Sequence, residues 1–349
     1  MSAIINRRHL LRQAGALGLI ATAPRLASGD TPTLVAATFP GTWSEADRNV
    51  ILPAFKQATG ASVTQSIVLG TDQVSRLVAA KGNKPPFDVA FFDAPQVIDA
   101  VREGLIVEYP TDKSPNFKEL LPSAQDKWGP KITMQVIGIG YNPNKITTAP
   151  TSWDDLLDPK YKGRVGLTAL NSQLGIAFLV EINRLKGGTD ENFDPAFKYL
   201  AQLLPNVGAV AANLGAYATL WQQEQVDIAP YNFNFVQTLK AKDVPVELAI
   251  PASGPVGWST SLHLVANTAE TELAVKYIDL HLAAPIQEQL LKPPYDAIPT
   301  NAKVKLDGAI TKALAKSQDD LAKIRTIDWA KINPQRAALI DRFNREIKL

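Results

Sequence analysis

The chain contains no cysteine, and only three of its 349 residues are histidines. The absence of cysteine excludes disulfide bonds and thiolate metal sites. His9 lies near the start, so His263 and His281 are the only histidines in the remainder. His263 falls within a predicted apolar strand and His281 on a predicted helix, and both positions favour structural roles over catalytic ones.

Recognisable catalytic motifs are also missing. The sequence has no Gly-x-Ser-x-Gly elbow, no phosphate-binding loop and no His-Glu-x-x-His pair. Taken together these absences indicate that the protein is not an enzyme and needs no cofactor. A hydrolase that uses carboxylates alone stays open as an alternative.

Long hydrophobic runs are confined to the start of the chain. Arg7 and Arg8 precede an apolar stretch from Ala14 to Ala23, which is too short to be a comfortable membrane-spanning helix. This pattern predicts a twin-arginine signal peptide over residues 1–29 and a mature chain that begins near Asp30. A cut after Ala21-Thr22-Ala23, or a buried N-terminal helix, is the alternative.

The charge balance changes when this leader is set aside. Four of the 36 basic residues lie in it and no acidic residue does, which leaves 32 basic against 34 acidic residues. The slight basicity of the whole chain therefore belongs to the leader. Nothing in the charge points to nucleic acid as a partner.

Strands and helices alternate from Thr33 onward. Apolar runs predict strands over 33–37, 62–68 and 88–92, with helical periodicity between them. The alternation is typical of a parallel sheet covered by helices, and ligands bind such sheets beyond the carboxyl ends of the strands. Further on, the pattern predicts one continuous helix over Asn267–Gln289.

The most informative stretch runs from Gln135 to Val165. Gly138 and Gly140 interrupt a β-branched run, which indicates a bend or a close backbone approach, and Ser152 can cap the short helix that follows. This stretch resembles the extracellular solute-binding proteins of ABC importers, in the branch of the spermidine/putrescine receptors. The resemblance lies in the sequence Gly-Tyr-Asn, followed by Pro-Thr-Ser-Trp-Asp-Asp-Leu-Leu-Asp-Pro-Lys-Tyr-Lys-Gly. The resemblance covers nearly the whole mature chain.

The resemblance implies an α/β, two-lobed type II periplasmic binding protein fold with two crossover hinge strands and a ligand cleft between the lobes. Residues 30–139 and 260–300 would form lobe 1, and residues 140–259 and 301–349 would form lobe 2. The implied protein is a periplasmic monomer that captures a small organic solute and delivers it to an inner-membrane ABC permease. A sensor without a transporter and a secreted enzyme are the alternatives.

The resemblance also implies a set of ligand contacts. Iron-binding relatives use neighbouring tyrosines, but the tyrosines here are scattered, so we expect no metal. Where polyamine receptors have Trp-x-Asp at the returning crossover, this chain has Trp258-Ser259-Thr260. Asp93 is the remaining acid for an ammonium group, although Asp93 with Gln96 is equally a helix-capping pair. The predicted ligand-binding residues are Trp43, Asp93, Asn171, Tyr231, Asn232, Trp258, Thr260 and Tyr295.

Overall fold

The predicted alternation of strands and helices is present in the computed structural model, which describes residues 33–348. The predicted signal peptide lies outside the described residues. The strands are β1 (Thr33–Thr38), β2 (Ser62–Ile67), β3 (Val89–Asp93), β4 (Lys131–Tyr141), β5 (Val165–Thr168), β6 (Val207–Ala211), β7 (Ile228–Asn232), β8 (Glu247–Ala249), β9 (Val256–Leu264) and β10 (Arg325–Thr326).

Helices connect most of these strands. The predicted helix over Asn267–Gln289 is wrong, because the chain breaks at Ala283, two residues before Pro285, into two helices. A π-helical turn over Asp47–Ile51 joins the first two helices. The α-helices are α1 (Thr42–Ala46), α2 (Leu52–Thr59), α3 (Gly70–Ala79), α4 (Ala94–Arg102), α5 (Gln173–Leu185), α6 (Asp194–Leu203), α7 (Leu214–Gln222), α8 (Phe233–Lys240), α9 (Thr271–Leu282), α10 (Ala284–Leu290), α11 (Ala309–Ala313), α12 (Gln318–Ala322), α13 (Trp329–Ile332) and α14 (Arg336–Glu346).

One sheet runs through the described part of the chain, in the order β2-β1-β3-β9-β4-β7-β5-β6. The first three strands are parallel, and so are β7, β5 and β6. Between these groups lie β9 and β4, which are antiparallel to each other and to their outer neighbours. The two parallel groups are therefore linked through the pair β4 and β9, as expected of crossover strands.

The two glycines of β4 allow neighbouring segments of the chain to pack closely against the strand. The strand runs from Lys131 to Tyr141 without a break. A Cβ at Gly138 would lie 2.5 Å from the carbonyl oxygen of Ala249, and one at Gly140 would press on Tyr231 and Trp221. These contacts explain why no larger side chain fits there.

Local signals downstream of β4 also hold. The Ser152 hydroxyl accepts a hydrogen bond from the backbone N–H of Asp154, and Asp155 completes a capping box. The element that it starts is a 3₁₀-helix over Trp153–Leu157.

His263 is buried in β9, between the Ser261 hydroxyl and the Trp128 carbonyl, and burial lowers its pKa to about 4. It is therefore neutral at physiological pH, as a structural role requires.

Within residues 33–348, no helix is both long enough and apolar enough to cross a bilayer.

Candidate functional site

The central strands place a set of polar side chains on one face of the sheet. Asp93 on β3 lies opposite Thr260 on β9, and Trp258 lies opposite Gln135 on β4. Directly paired residues point to the same side of a sheet, and alternate residues along a strand share a face. By the same register, Thr38 at the end of β1 and Asn232 at the end of β7 lie on this face as well. We call the following side chains the polar face: Thr38, Asp93, Gln135, Asn232, Trp258 and Thr260.

Several atoms of the polar face are buried without a hydrogen-bond partner among the described residues. They are the Thr38 hydroxyl, the Gln135 Oε1, the Trp258 indole nitrogen and both side-chain atoms of Asn232. Asn232 has no exposed surface. A buried polar group that lacks a partner costs about 1–3 kcal/mol, so such groups are rare unless they serve a function. These unpartnered atoms lie on one face of the central strands, with Thr38 ending β1 and Asn232 ending β7, and we take this face as the candidate site.

Asp93 is the charged member of the polar face. Its Oδ1 accepts a 2.7 Å hydrogen bond from the Thr260 hydroxyl, and its Oδ2 lies 3.3 Å from the Gln173 Nε2 at the start of α5. Burial raises the pKa of Asp93 to about 6, against the opposing effects of the Thr260 hydroxyl, the Trp258 indole and the Arg336 guanidinium. A positive charge placed nearby would therefore stabilise the ionised form of this carboxyl group.

The alternative prediction, that the Asp93 side chain caps a helix, is wrong. Asp93 does occupy the N-cap position of α4, but its side chain accepts no capping hydrogen bond. Gln96 is buried, and its Oε1 has no partner among the described residues. The carboxylate is thus turned away from its own helix toward β9 and α5.

Of the two predicted tryptophans, Trp258 belongs to the polar face and Trp43 packs beside it. Trp43, in α1, packs edge-on against Phe91, whose side chain shares the face of Asp93 on β3, with ring centroids 5.3 Å apart. Trp258 is buried and packs edge-on against Trp329 in α13. Aromatic ring surface therefore lies next to the polar groups.

The other predicted contacts are placed differently. Tyr231 lies opposite Gly138 and so on the reverse face of the sheet, where its ring stacks between Trp221 and Phe235. Asn171 is exposed on the loop after β5. Tyr295 is half-buried, and its hydroxyl accepts a 3.2 Å hydrogen bond from Asn49. The structure does not bring these three side chains into the polar face.

Sequence reasoning missed two residues here. Gln173 and Arg336 reach the surroundings of Asp93 from α5 and α14. Asp296, beside Tyr295, is a buried carboxyl outside the polar face, and burial raises its pKa. No motif marks any of them, because only the fold brings these distant segments together. Residues 33–348 contain no group of three or more acidic or histidine side chains arranged to hold a metal ion.

Comparison with known proteins agrees with this architecture. A family model described as bacterial extracellular solute-binding protein matches residues 84–334. The spermidine/putrescine-binding periplasmic protein 1 of Haemophilus influenzae is 28% identical over 286 residues, 78% of each chain. A periplasmic protein of Salmonella typhimurium, named for binding 2-aminoethylphosphonate, is 28% identical over 177 residues, half of each chain.

Among solved structures, an ABC transporter protein from Clostridium perfringens matches with a TM-score of 0.77 at 21% identity, over 90% of this chain and all of that one. The likeness establishes the two-lobed fold of periplasmic binding proteins, with the crossover pair between the lobes. The extent of the family match establishes more than the fold. The chain belongs to the family of bacterial extracellular solute-binding proteins, and its role is that of a solute-binding receptor.

Proposed function

We propose that this protein is a periplasmic receptor that captures a small organic solute carrying one ammonium group and delivers it to an ABC permease. The observation that carries the proposal is the polar face, where one poorly compensated carboxylate adjoins several buried, unpartnered hydrogen-bonding groups. A solute that supplied those partners would stabilise the protein and would be held specifically.

Asp93 would hold the ammonium group. An opposite charge placed against a buried carboxylate offsets the cost of its desolvation. Its neighbour Thr260 is neutral, so the polar face has one acid where a polyamine needs two or more. A second ammonium group placed here would be buried without a counter-charge, which is expensive. Spermidine and putrescine should therefore bind weakly.

Neutral groups would fix the rest of the solute. Asn232 offers a donor and an acceptor, whereas the indole N–H of Trp258 already acts on the Asp93 carboxylate. Trp43 would cover the apolar part of the solute, since aromatic faces attract ammonium groups and cover methylene groups well. Asn171, Tyr231 and Tyr295 stay predictions that require rearrangement around the solute.

The names of the two relatives support an amine-bearing ligand. One is named for spermidine and putrescine and the other for 2-aminoethylphosphonate, and all of these molecules carry an amino group. We further propose export through the twin-arginine leader, a monomeric receptor, and closure of the predicted lobes about β4 and β9. In this arrangement residues 30–139 and 260–300 move against the remainder.

Calorimetry on protein stripped of bound solute tests the proposal. A thermal-shift screen of amines, amino acids and sugars comes first, followed by titration with n-butylamine, putrescine and spermidine. Asp93→Asn should abolish binding of the amine hit, whereas Asp296→Asn, a matched change at another buried carboxyl, should leave it nearly unchanged. Submicromolar affinity for spermidine, or an amine affinity that is insensitive to Asp93→Asn, would contradict the proposal.

A further inference from the structure

A segment near the end of the chain runs beside the polar face and contacts both proposed lobes. We call residues 325–336 the strap; it contains β10, α13 and the turn that leads into α14. β10 pairs with the start of β9, and Trp329 of α13 packs edge-on against Trp258, with ring centroids 6.4 Å apart. α13 also packs against α4, the helix that follows Asp93. The strap therefore lies next to the strands that carry the polar face.

The end of the strap is tied to proposed lobe 2. Lys331 Nζ lies 2.9 Å from Asp190 Oδ2, and the Gln335 side-chain amide donates to the carbonyl oxygen of Asp190. Arg336 Nη2 donates a 2.8 Å hydrogen bond to the carbonyl oxygen of Asn171. Asp190 lies in the loop between α5 and α6, and Asn171 lies just before α5. These three side chains make the end of the strap move with lobe 2.

Toward lobe 1 the strap reaches through Asn333. Its Nδ2 donates a 3.0 Å hydrogen bond to the carbonyl oxygen of Pro95, in the first turn of α4 and two residues after Asp93. A second contact crosses nearby, where Gln173 Nε2 lies 3.3 Å from Asp93 Oδ2. In both pairs the donor belongs to lobe 2 and the acceptor to lobe 1. Opening the cleft on the side of the polar face would therefore separate them.

The strap and lobe 1 are loosely packed beside this hydrogen bond. A cavity of about 470 Å³ lies between the strap and helices α3 and α4, and its lining includes Ser75, Ile98, Ala330 and Pro334. Side chains that border such a gap lack van der Waals partners on one side. The Oδ1 of Asn333 has no partner among the described residues, so the amide holds lobe 1 through its Nδ2. A contact of this kind can break and form again as the lobes move.

We infer that Asn333 is a latch between the lobes, and that its hydrogen bond to Pro95 favours the closed arrangement before a solute binds. The inference rests on the closure included in the proposed function, and it deepens that function. Both partners are protein atoms, so the bond does not depend on a solute. One hydrogen bond changes a two-state equilibrium roughly fivefold. Without the latch, a solute must supply that part of the closing free energy, and its apparent affinity falls accordingly.

Distances between spin labels test the latch directly. Because the chain has no cysteine, one label can be placed in each lobe without background, through Lys84→Cys in lobe 1 and Lys242→Cys in lobe 2, both at exposed positions. Pulsed EPR then compares wild-type protein, stripped of bound solute, with Asn333→Ala and with Asn333→Leu, which keeps the side-chain size. We expect the ratio of the closed to the open distance to fall about fivefold in both variants. Asn344→Ala, at an exposed asparagine of α14, is the control and should leave the ratio unchanged.

Titration with n-butylamine separates the latch from amine recognition. The amine should raise the closed population in every variant and should bind about fivefold more weakly to the two Asn333 variants in calorimetry. If the Asn333 variants keep the wild-type distance distribution, the latch is overturned, even where n-butylamine still closes the protein. If those variants shift the distribution and n-butylamine does not, the latch stands and the proposed amine ligand fails. If neither changes the distances, both proposals fail.

Discussion

Replacing Asp93 by asparagine should stabilise the solute-free protein at neutral pH. Its pKa of about 6 lies two units above its ordinary value of 3.8. Each pKa unit corresponds to 1.36 kcal/mol, so the ionised carboxylate costs the folded state about 3 kcal/mol at pH 7.5. Asparagine removes that charge and keeps an oxygen that can accept from the Thr260 hydroxyl.

The sign of the pH dependence follows from the direction of the shift. Between pH 4 and 6 the unfolded chain has released the Asp93 proton and the folded protein has not, so the stability of the wild-type protein falls as pH rises through that window. The contact with Gln173 is lost in the variant, at a cost of about 1 kcal/mol. We expect Asp93→Asn to be about 2 kcal/mol more stable at pH 7.5 and slightly less stable at pH 4.

Urea unfolding followed by tryptophan fluorescence, at pH 4 and pH 7.5, measures both differences. Asp341→Asn, at an exposed position of α14, is the control and should change stability little at either pH. If Asp93→Asn were equally stable relative to the wild-type protein at both pH values, or were destabilised at pH 7.5, the reasoning from a desolvated carboxylate would be refuted.

Three further outcomes are expected. Because a primary amine stays charged throughout this range, amine affinity should be about tenfold weaker at pH 5 than at pH 7, as Asp93 takes up its proton, and calorimetry that found a flat profile would exclude it as the counter-charge. Replacing Arg7 and Arg8 by lysine should leave unprocessed precursor in the cytoplasm, which immunoblots of cell fractions would show; normal periplasmic accumulation would contradict the twin-arginine assignment. A saturating solute should reduce the radius of gyration measured by small-angle scattering, because hinge closure brings lobes together, whereas an unchanged value would argue against closure about β4 and β9.

Local sequence patterns predict most of the secondary structure of the fold. The strands that end at Thr38 and Asp93 are short apolar runs bounded by turn residues, and the helices between them have clear periodicity, so their positions follow from the sequence. The break at Ala283 was missed because the apolar periodicity continues across it, although Pro285 marks the start of α10. The tight packing at Gly138 depends on β8, which local sequence does not reveal.

The candidate site was less accessible to prediction. Asp93, Trp258 and Thr260 stand at strand positions that periodicity and family resemblance both mark. Gln173 and Arg336 approach them from elements 80 residues downstream of Asp93 and near the end of the chain. Their roles depend on which helix ends meet across the sheet, and no local pattern in a single sequence shows which ends meet. The face on which Tyr231 lies likewise follows only from the register of β7 against β4.

The insertion of β9 between β3 and β4 has a consequence for biosynthesis. Asp93 and its partner Thr260 are 167 residues apart, so β3 is complete long before the strand beside it has been made. At a synthesis rate of about 5–20 residues per second, β3 waits roughly 10–30 seconds with one edge unpaired. An unpaired apolar edge such as Phe91-Phe92 invites pairing with other chains. The strand order that links the two lobes therefore leaves this edge of β3 open to such pairing until residue 264 has been added.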